Sequence, residues 1–219
     1  LYLVFSHNIL HAQTTPQIVT DELLTIVYQT DNSPVSFKNK IGVADGLLID
    51  YWRDWAAKNN LSLRFVEPSK NAKFEKDNIV IKESEISALD VQNSINYDFY
   101  REYYYLFRNH RMPIINELSQ LLNYRVGIVE GYSTQYLNHR LPNASVIVYN
   151  NFADLYDAAI KGEVHSFISP SLNWHYYLRK NNLTQNFYYN PQKPLFIQKY
   201  YGEISPDSPF LLRKSGFTP

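Results

Sequence analysis

The sequence predicts an α/β protein of two similar units in series, with a tail that returns to the first. Three observations carry this. Short β-branched runs alternate with stretches of helical periodicity, the signature of strand–helix–strand units around a parallel sheet. The alternation begins afresh at Arg125-Val126-Gly127-Ile128-Val129, and one more strand-like run, Leu195-Phe196-Ile197, follows the second unit. The expected division is residues 20–107 for lobe 1, 108–193 for lobe 2, and 194–219 for a return segment packing on lobe 1. The boundary is set at Arg108-Asn109-His110-Arg111, where polar residues interrupt two apolar elements.

In the first unit, Leu23 to Gln29 is a short apolar run and reads as a buried strand, and Thr30-Asp31-Asn32-Ser33-Pro34 is turn chemistry. Gly46 opens a helix in which Leu48, Trp52, Trp55 and Ala56 share one face, while Asp50, Arg53, Asp54 and Lys58 take the other. That pattern assigns both tryptophans to the core. Asn59-Asn60 supplies a left-handed C-terminal residue, and Leu61 to Val66 is a second strand. Within residues 67–93 only Ile79-Val80-Ile81 is strand-like, and Tyr103 to Phe107 is an aromatic strand.

After Pro113, Ile114, Ile115, Leu118, Leu121 and Leu122 keep helical spacing. The second unit continues past its first strand with a helix opened by Gly131-Tyr132-Ser133-Thr134 and a strand at Ser145 to Tyr149. Next comes a helix capped by Asn151 and closed by Gly162, then a strand from Val164 to Ile168 and a helix after Pro170. Pro209 to Lys214 reads as a short final helix.

Composition narrows the function. With 219 residues, 45% hydrophobic and 19% charged, the chain buries a full core and is no disordered tail. Twenty-one basic against 21 acidic residues leave no cation surplus for counterion release from nucleic acid, so no nucleic-acid partner is expected. Cysteine is absent, which excludes disulfides, thiolate catalysis and Cys-ligated zinc. No His pair has metal-ligand spacing on one helix face, and no phosphate-cradling glycine loop or Gly-x-Ser-x-Gly elbow occurs, so neither metal nor cofactor is expected. Residues 1–13 read as the rear of a secretory apolar segment running into a polar start at Thr14-Thr15-Pro16.

The candidate ligand site lies at strand ends. In open parallel sheets ligands sit beyond the carboxyl ends of the strands. Gly131 to Thr134 follows a strand and opens a helix, where free backbone N–H groups and two hydroxyls can hold an anionic or strongly polar group. Asp31 to Phe37 follows the first strand in the same way. Two lobes presenting these ends to each other form a cleft. Asp31, Ser133 and Thr134 are its expected polar contacts, and Phe37 and Tyr132 its apolar surface. Ser169 and Ser171, flanking Pro170, form its floor on the second lobe.

The ordered pattern resembles the family-three extracellular solute-binding proteins, of the type-two periplasmic binding-protein fold. The resemblance spans most of residues 23–217. It rests on Ile26-Val27-Tyr28 with Ser33-Pro34-Val35-Ser36-Phe37, on Gly46 to Asp50, on Arg125 to Thr134, on Ala158 to Val164, and on Leu211 to Phe217. It implies two lobes closing like a Venus flytrap, a hinge crossed twice, and a small ligand between them. Transport members place an Arg ahead of a Phe-Ser pair to grip an α-carboxylate. The segment Asn93 to Phe99 has none, and Arg101 is the nearest substitute. They also carry an Asp for the α-amino group where this chain has Ser169-Pro170-Ser171, so no strong preference for a free α-amino group is expected. Sensor versions, placed before a transmembrane helix and a cytoplasmic signalling module, resemble this chain better, and an end after Gly216-Phe217 fits a position before such a helix. The expected function is a periplasmic small-molecule-binding sensor domain of a bacterial membrane signalling protein. The alternatives are the solute-binding component of an importer or an enzyme on the same scaffold. The enzyme lacks an evident acid or base at the strand ends.

Overall fold

A computed structural model describes residues 23–68, 78–83, 95–140 and 143–204. The leader expected at residues 1–13 and the helix expected from Pro209 to Lys214 lie outside them. Among the described residues no helix is long and apolar enough to cross a membrane.

The first unit opens with β1 (Leu23–Val27), followed by a turn region of three short strands, β2 (Asp31–Asn32), β3 (Ser36–Lys38) and β4 (Ala44–Asp45). These three pair antiparallel as a small separate sheet. Helix α1 (Leu47–Lys58) and β5 (Ser62–Val66) complete the unit. β1 lies between β5 and β6 (Asn78–Glu83), parallel to both, and all its residues but Leu23 are buried. A strand covered on both faces needs such an apolar run. Leu48, Ile49 and Trp52 of α1 pack into one core with it, and Ala56 is buried as well. Trp52 is 1% exposed, and half-buried Trp55 meets it edge-on at 5.8 Å between ring centres, as the spacing requires. The helix ends at Asn60 in the left-handed region, φ 53°.

The second unit consists of β8 (Arg125–Val129), α2 (Tyr132–Arg140), β9 (Ser145–Tyr149), α3 (Phe152–Lys161), β10 (Ser166–Pro170) and α4 (Ser171–Lys180). β8 runs parallel to both β9 and β10. The Asn151 side chain accepts from the N–H of Asp154 at 2.9 Å, and Gly162 closes α3 at φ 79°. Trp174, Tyr156, Phe167 and Phe107 form the aromatic centre of this half.

Two long strands join the halves. β7 (Ile95–Asn109) has 15 residues, far more than its aromatic stretch suggests, and β12 (Phe196–Ile204) returns antiparallel beside it. β12 pairs with β6 from Tyr200 to Ile204, whereas β7 pairs with β10 from Tyr104 to Arg108 and with the short β11 (Phe187–Tyr188) beyond. Two lobes in series imply two sheets. The structure instead joins them in one hydrogen-bonded path, β5-β1-β6-β12-β7-β10-β8-β9. The two long strands are the bridge between the halves in that path. The expected boundary at 107/108 falls inside β7, whose pairing passes from one half to the other near Tyr104.

The expected helix after Pro113 is a correction. Residues 113–116 have no regular structure, and only a 3-10 turn, Leu118–Asn123, follows. Glu117 and Gln120 cap that turn reciprocally, Leu121 is its fully buried residue with Leu118 packed beside it, and Ile114 and Leu122 are 68% and 44% exposed, so the apolar spacing does not form one buried helical face.

Candidate functional site

The long strands form the floor of a cleft between the two lobes. Burial alternates along both: Glu102 and Tyr104 on β7, and Phe196, Gln198 and Tyr200 on β12, point inward, while Arg101, Tyr103, Ile197 and Lys199 are exposed. Glu102 stands opposite Gln198, and Tyr104 opposite Phe196, with their rings stacked at 4.5 Å. The strand period of two thus brings a carboxylate and an amide, both nearly solvent-free, to the floor. Arg101, the possible substitute for a carboxylate-gripping arginine, is on the outer face.

A chain of buried hydrogen bonds climbs from this floor and crosses the cleft. The Tyr200 hydroxyl donates to Glu102 Oε2 at 2.8 Å. Asn32, in β2 of the first lobe, donates through Nδ2 to the same hydroxyl at 2.7 Å. Asn173, in the first turn of α4 on the second lobe, donates through Nδ2 to Asn32 Oδ1 at 2.8 Å. Asn32 is 5% exposed and Asn173 1%. The carboxylate at the end of the chain can only accept, so it fixes the direction of every bond above it. That direction leaves Asn173 Oδ1 as a buried acceptor without a partner.

Two adjoining cavities open on the cleft. The smaller, about 210 Å³, has Asp31 and Asn32 on one side, Glu130 and Asn151 on the other, and Tyr104 and Gln198 beneath. The larger, about 580 Å³, shares Asp31, Asn150, Asn151 and Phe152 and extends along α3 and α4 to Asn173, Tyr176, Tyr177 and Lys180. The larger cavity is of the size that suits small molecules.

The expected site residues are distributed unevenly around them. Asp31 is exposed and lines both cavities. Phe37 pairs with Asp31 across β2 and β3 and is half-buried, but is not on either cavity wall. Tyr132 and Ser133 open α2; their side chains lie outside the described part of the structure. The Thr134 N–H donates to the Gly131 carbonyl at 3.1 Å, and its buried hydroxyl has no hydrogen-bond partner. Ser169 is fully buried at the end of β10, where its hydroxyl bonds to the Tyr156 hydroxyl and to the Pro170 carbonyl. Burial pushes the Tyr156 hydroxyl pKa well up; the Ser169 bond opposes this and the Glu102 charge adds to it, so this pair stays neutral. Ser171 starts α4, half-buried, with its carbonyl facing His175 Nδ1 at 2.7 Å.

Sequence reasoning missed Asn173, Glu102, Gln198 and Glu130. Glu130 was the most accessible of these, since it directly precedes the glycine that opens α2. Asn173 lies two residues beyond the expected floor, and a polar residue in the first turn of a helix at a strand end is a signal of the same kind as Ser133.

No family model and no curated protein matches this sequence. Solved structures do share its architecture. The ligand-binding core of GluR0 in complex with L-glutamate matches with a TM-score of 0.68 at 19% identity, over 87% of this chain and 88% of that one. A histidine kinase sensor domain with similarity to periplasmic binding proteins matches at 0.66 and 17%, over 90% of this chain and 89% of that one. This chain has the two-lobe periplasmic binding-protein fold. The periplasmic sensor of the Borrelia burgdorferi hybrid histidine kinase Hk1 matches at 0.57 and 16%, over 89% of this chain and 93% of that one.

Proposed function

We propose that this chain is the small-molecule-binding sensor domain of a membrane signalling protein, working on the outer side of the membrane. One observation carries the reading. Side chains from both lobes meet over a walled cleft, Asn32 against Asn173, and that contact is wired through Tyr200 to Glu102 on the strands that bridge the lobes. A ligand touching both walls favours the closed arrangement by the difference between its closed-state and open-state affinities. Asp31, which lines both cavities, contacts the ligand. Ser169 holds the second-lobe wall through Tyr156, and Ser171 begins the helix that carries Asn173. The full-length chain then passes closure through a transmembrane helix to a cytoplasmic module. The domain itself binds and does not catalyse.

The likeness to two kinase sensor domains supports the sensor reading. An importer component would use the same cleft, and the two readings separate on whether the ligand changes a signalling output or is transported. The binding claim is tested by a thermal-shift screen over amino acids, amines, carboxylates, sugars and nucleobases. A ligand at 100 times its dissociation constant adds about 2.7 kcal/mol of stability. The hit must lose that shift when Asn32 and Asn173 are both replaced by Ala. A hit whose shift survives that double replacement binds elsewhere and defeats the reading.

A further inference from the structure

We infer that the cleft selects a small organic cation, with its ammonium held between Asp31 and Glu130 and its apolar body against Phe152, Tyr176 and Tyr177. This rests on the cleft-binding reading above and names the chemistry that the cleft takes.

The smaller cavity has a carboxylate from each lobe on its wall, Asp31 from β2 and Glu130 from the end of β8, and among the described lining residues no cation faces them. Closing the lobes on an empty cavity brings two like charges together, which opposes closure. An ammonium between them turns that repulsion into attraction at both lobes at once. A second observation points the same way. The donor chain that ends on Glu102 leaves Asn173 Oδ1 as an acceptor without a donor, and Asn173, 1% exposed, is on the wall of the adjoining larger cavity. A buried acceptor left alone is unfavourable, and an N–H donor from a ligand relieves it. Carboxylates and that carbonyl accept only, so the matching ligand is rich in donors.

The same charge pattern revises the expectation of an anion at the start of α2. Glu130 stands immediately before Gly131, so its carboxylate already offsets the positive end of that helix. The apolar part of the ligand is set by the larger cavity, where Phe152, Tyr156, Tyr176 and Tyr177 provide aromatic wall. The one cation there among the described residues, Lys180, holds its ammonium 5.6 Å over the Tyr176 ring.

Three compounds of one shape and three charges test this by calorimetric titration: tyramine (cation), tyrosol (neutral) and 4-hydroxyphenylacetate (anion). Tyramine is expected to bind more tightly than tyrosol, and the anion least. Asp31→Asn and Glu130→Gln each weaken tyramine by about twofold to fivefold, the range for an exposed charge pair, and do not weaken tyrosol. Both side chains are exposed, so the variants should melt as the parent does without ligand, which separates lost binding from lost folding. Binding of the anion as tightly as tyramine overturns the inference, and so does undiminished tyramine binding in the double variant. Should none of the three bind while a sugar or other neutral hit depends on Asn32 and Asn173, the cation inference fails and the cleft reading stands.

Discussion

Gly46 and Gly131 stand at equivalent points of the two lobes, each just before a helix near the cleft, and share one backbone angle, φ 119°. Their surroundings differ. A Cβ on Gly46 would lie 2.6 Å from the Val35 carbonyl oxygen and 2.8 Å from that of Pro34, whereas a Cβ on Gly131 would meet nothing within 4 Å. The first lobe's edge is filled by its own backbone, with Leu48 and Leu47 donating their N–H groups to Val35 and Pro34. The second lobe's edge is open. One sequence signal, glycine and then a helix, therefore marks a structural joint in one lobe and free space in the other. The packing behind the glycine decides which.

The first lobe's filled edge is backed by the core that Trp52 completes. Trp52→Ala should lower unfolding stability by about 3–5 kcal/mol, read by denaturant unfolding, because the cavity it leaves is ringed by Leu24, Ile26 and Leu48. A smaller effect is expected at Gly46→Ala, about 2–4 kcal/mol, from backbone strain together with the clash on Val35 and Pro34. Gly131→Ala should cost only the strain, about 1 kcal/mol. Equal losses at the two glycines would erase the distinction between filled and open edges.

The smallest expected effect concerns His165, at the far end of the second lobe. Burial chiefly, and the Arg125 charge second, lower its pKa, and its Nδ1 accepts the Arg125 N–H at 3.0 Å. A histidine depressed in the folded state stays neutral while the unfolded chain takes up a proton. Its contribution is therefore present above about pH 6.5 and is lost as pH falls below that value. The melting temperature of the parent should fall more between pH 7.5 and 5.5 than that of His165→Gln. Parallel curves would show that the ring is not held neutral.

What was legible in the sequence follows the same division between local and distant causes. The first strand–helix–strand unit, the Trp52 face, the Asn151 cap and the Gly162 stop are fixed by neighbours within a few residues, and periodicity and capping chemistry read them correctly. The first half of β7 was not legible. Its residues 95–102 include Arg101, exposed on the outer face, and Glu102, a carboxylate on the buried one. The apolar spacing after Pro113 misled for the opposite reason, since Ile114 and Leu122 are apolar and exposed. The contact at the heart of the cleft joins Asn32 and Asn173, 141 residues apart. In the sequence one is an ordinary turn former and the other an ordinary first-turn residue, and only the fold reveals that their amides pair.

The absence of cysteine makes one decisive measurement simple. Cysteines introduced at Lys58 on α1 and Lys161 on α3, both exposed and one on each lobe, carry spin labels for a distance measurement by pulsed electron resonance. If the lobes turn about β7 and β12 and the Asn32–Asn173 bond bridges them, Asn173→Ala should broaden the distribution and move it to longer distances. A single distance, identical in parent and variant, would contradict a hinged cleft closed by that pair.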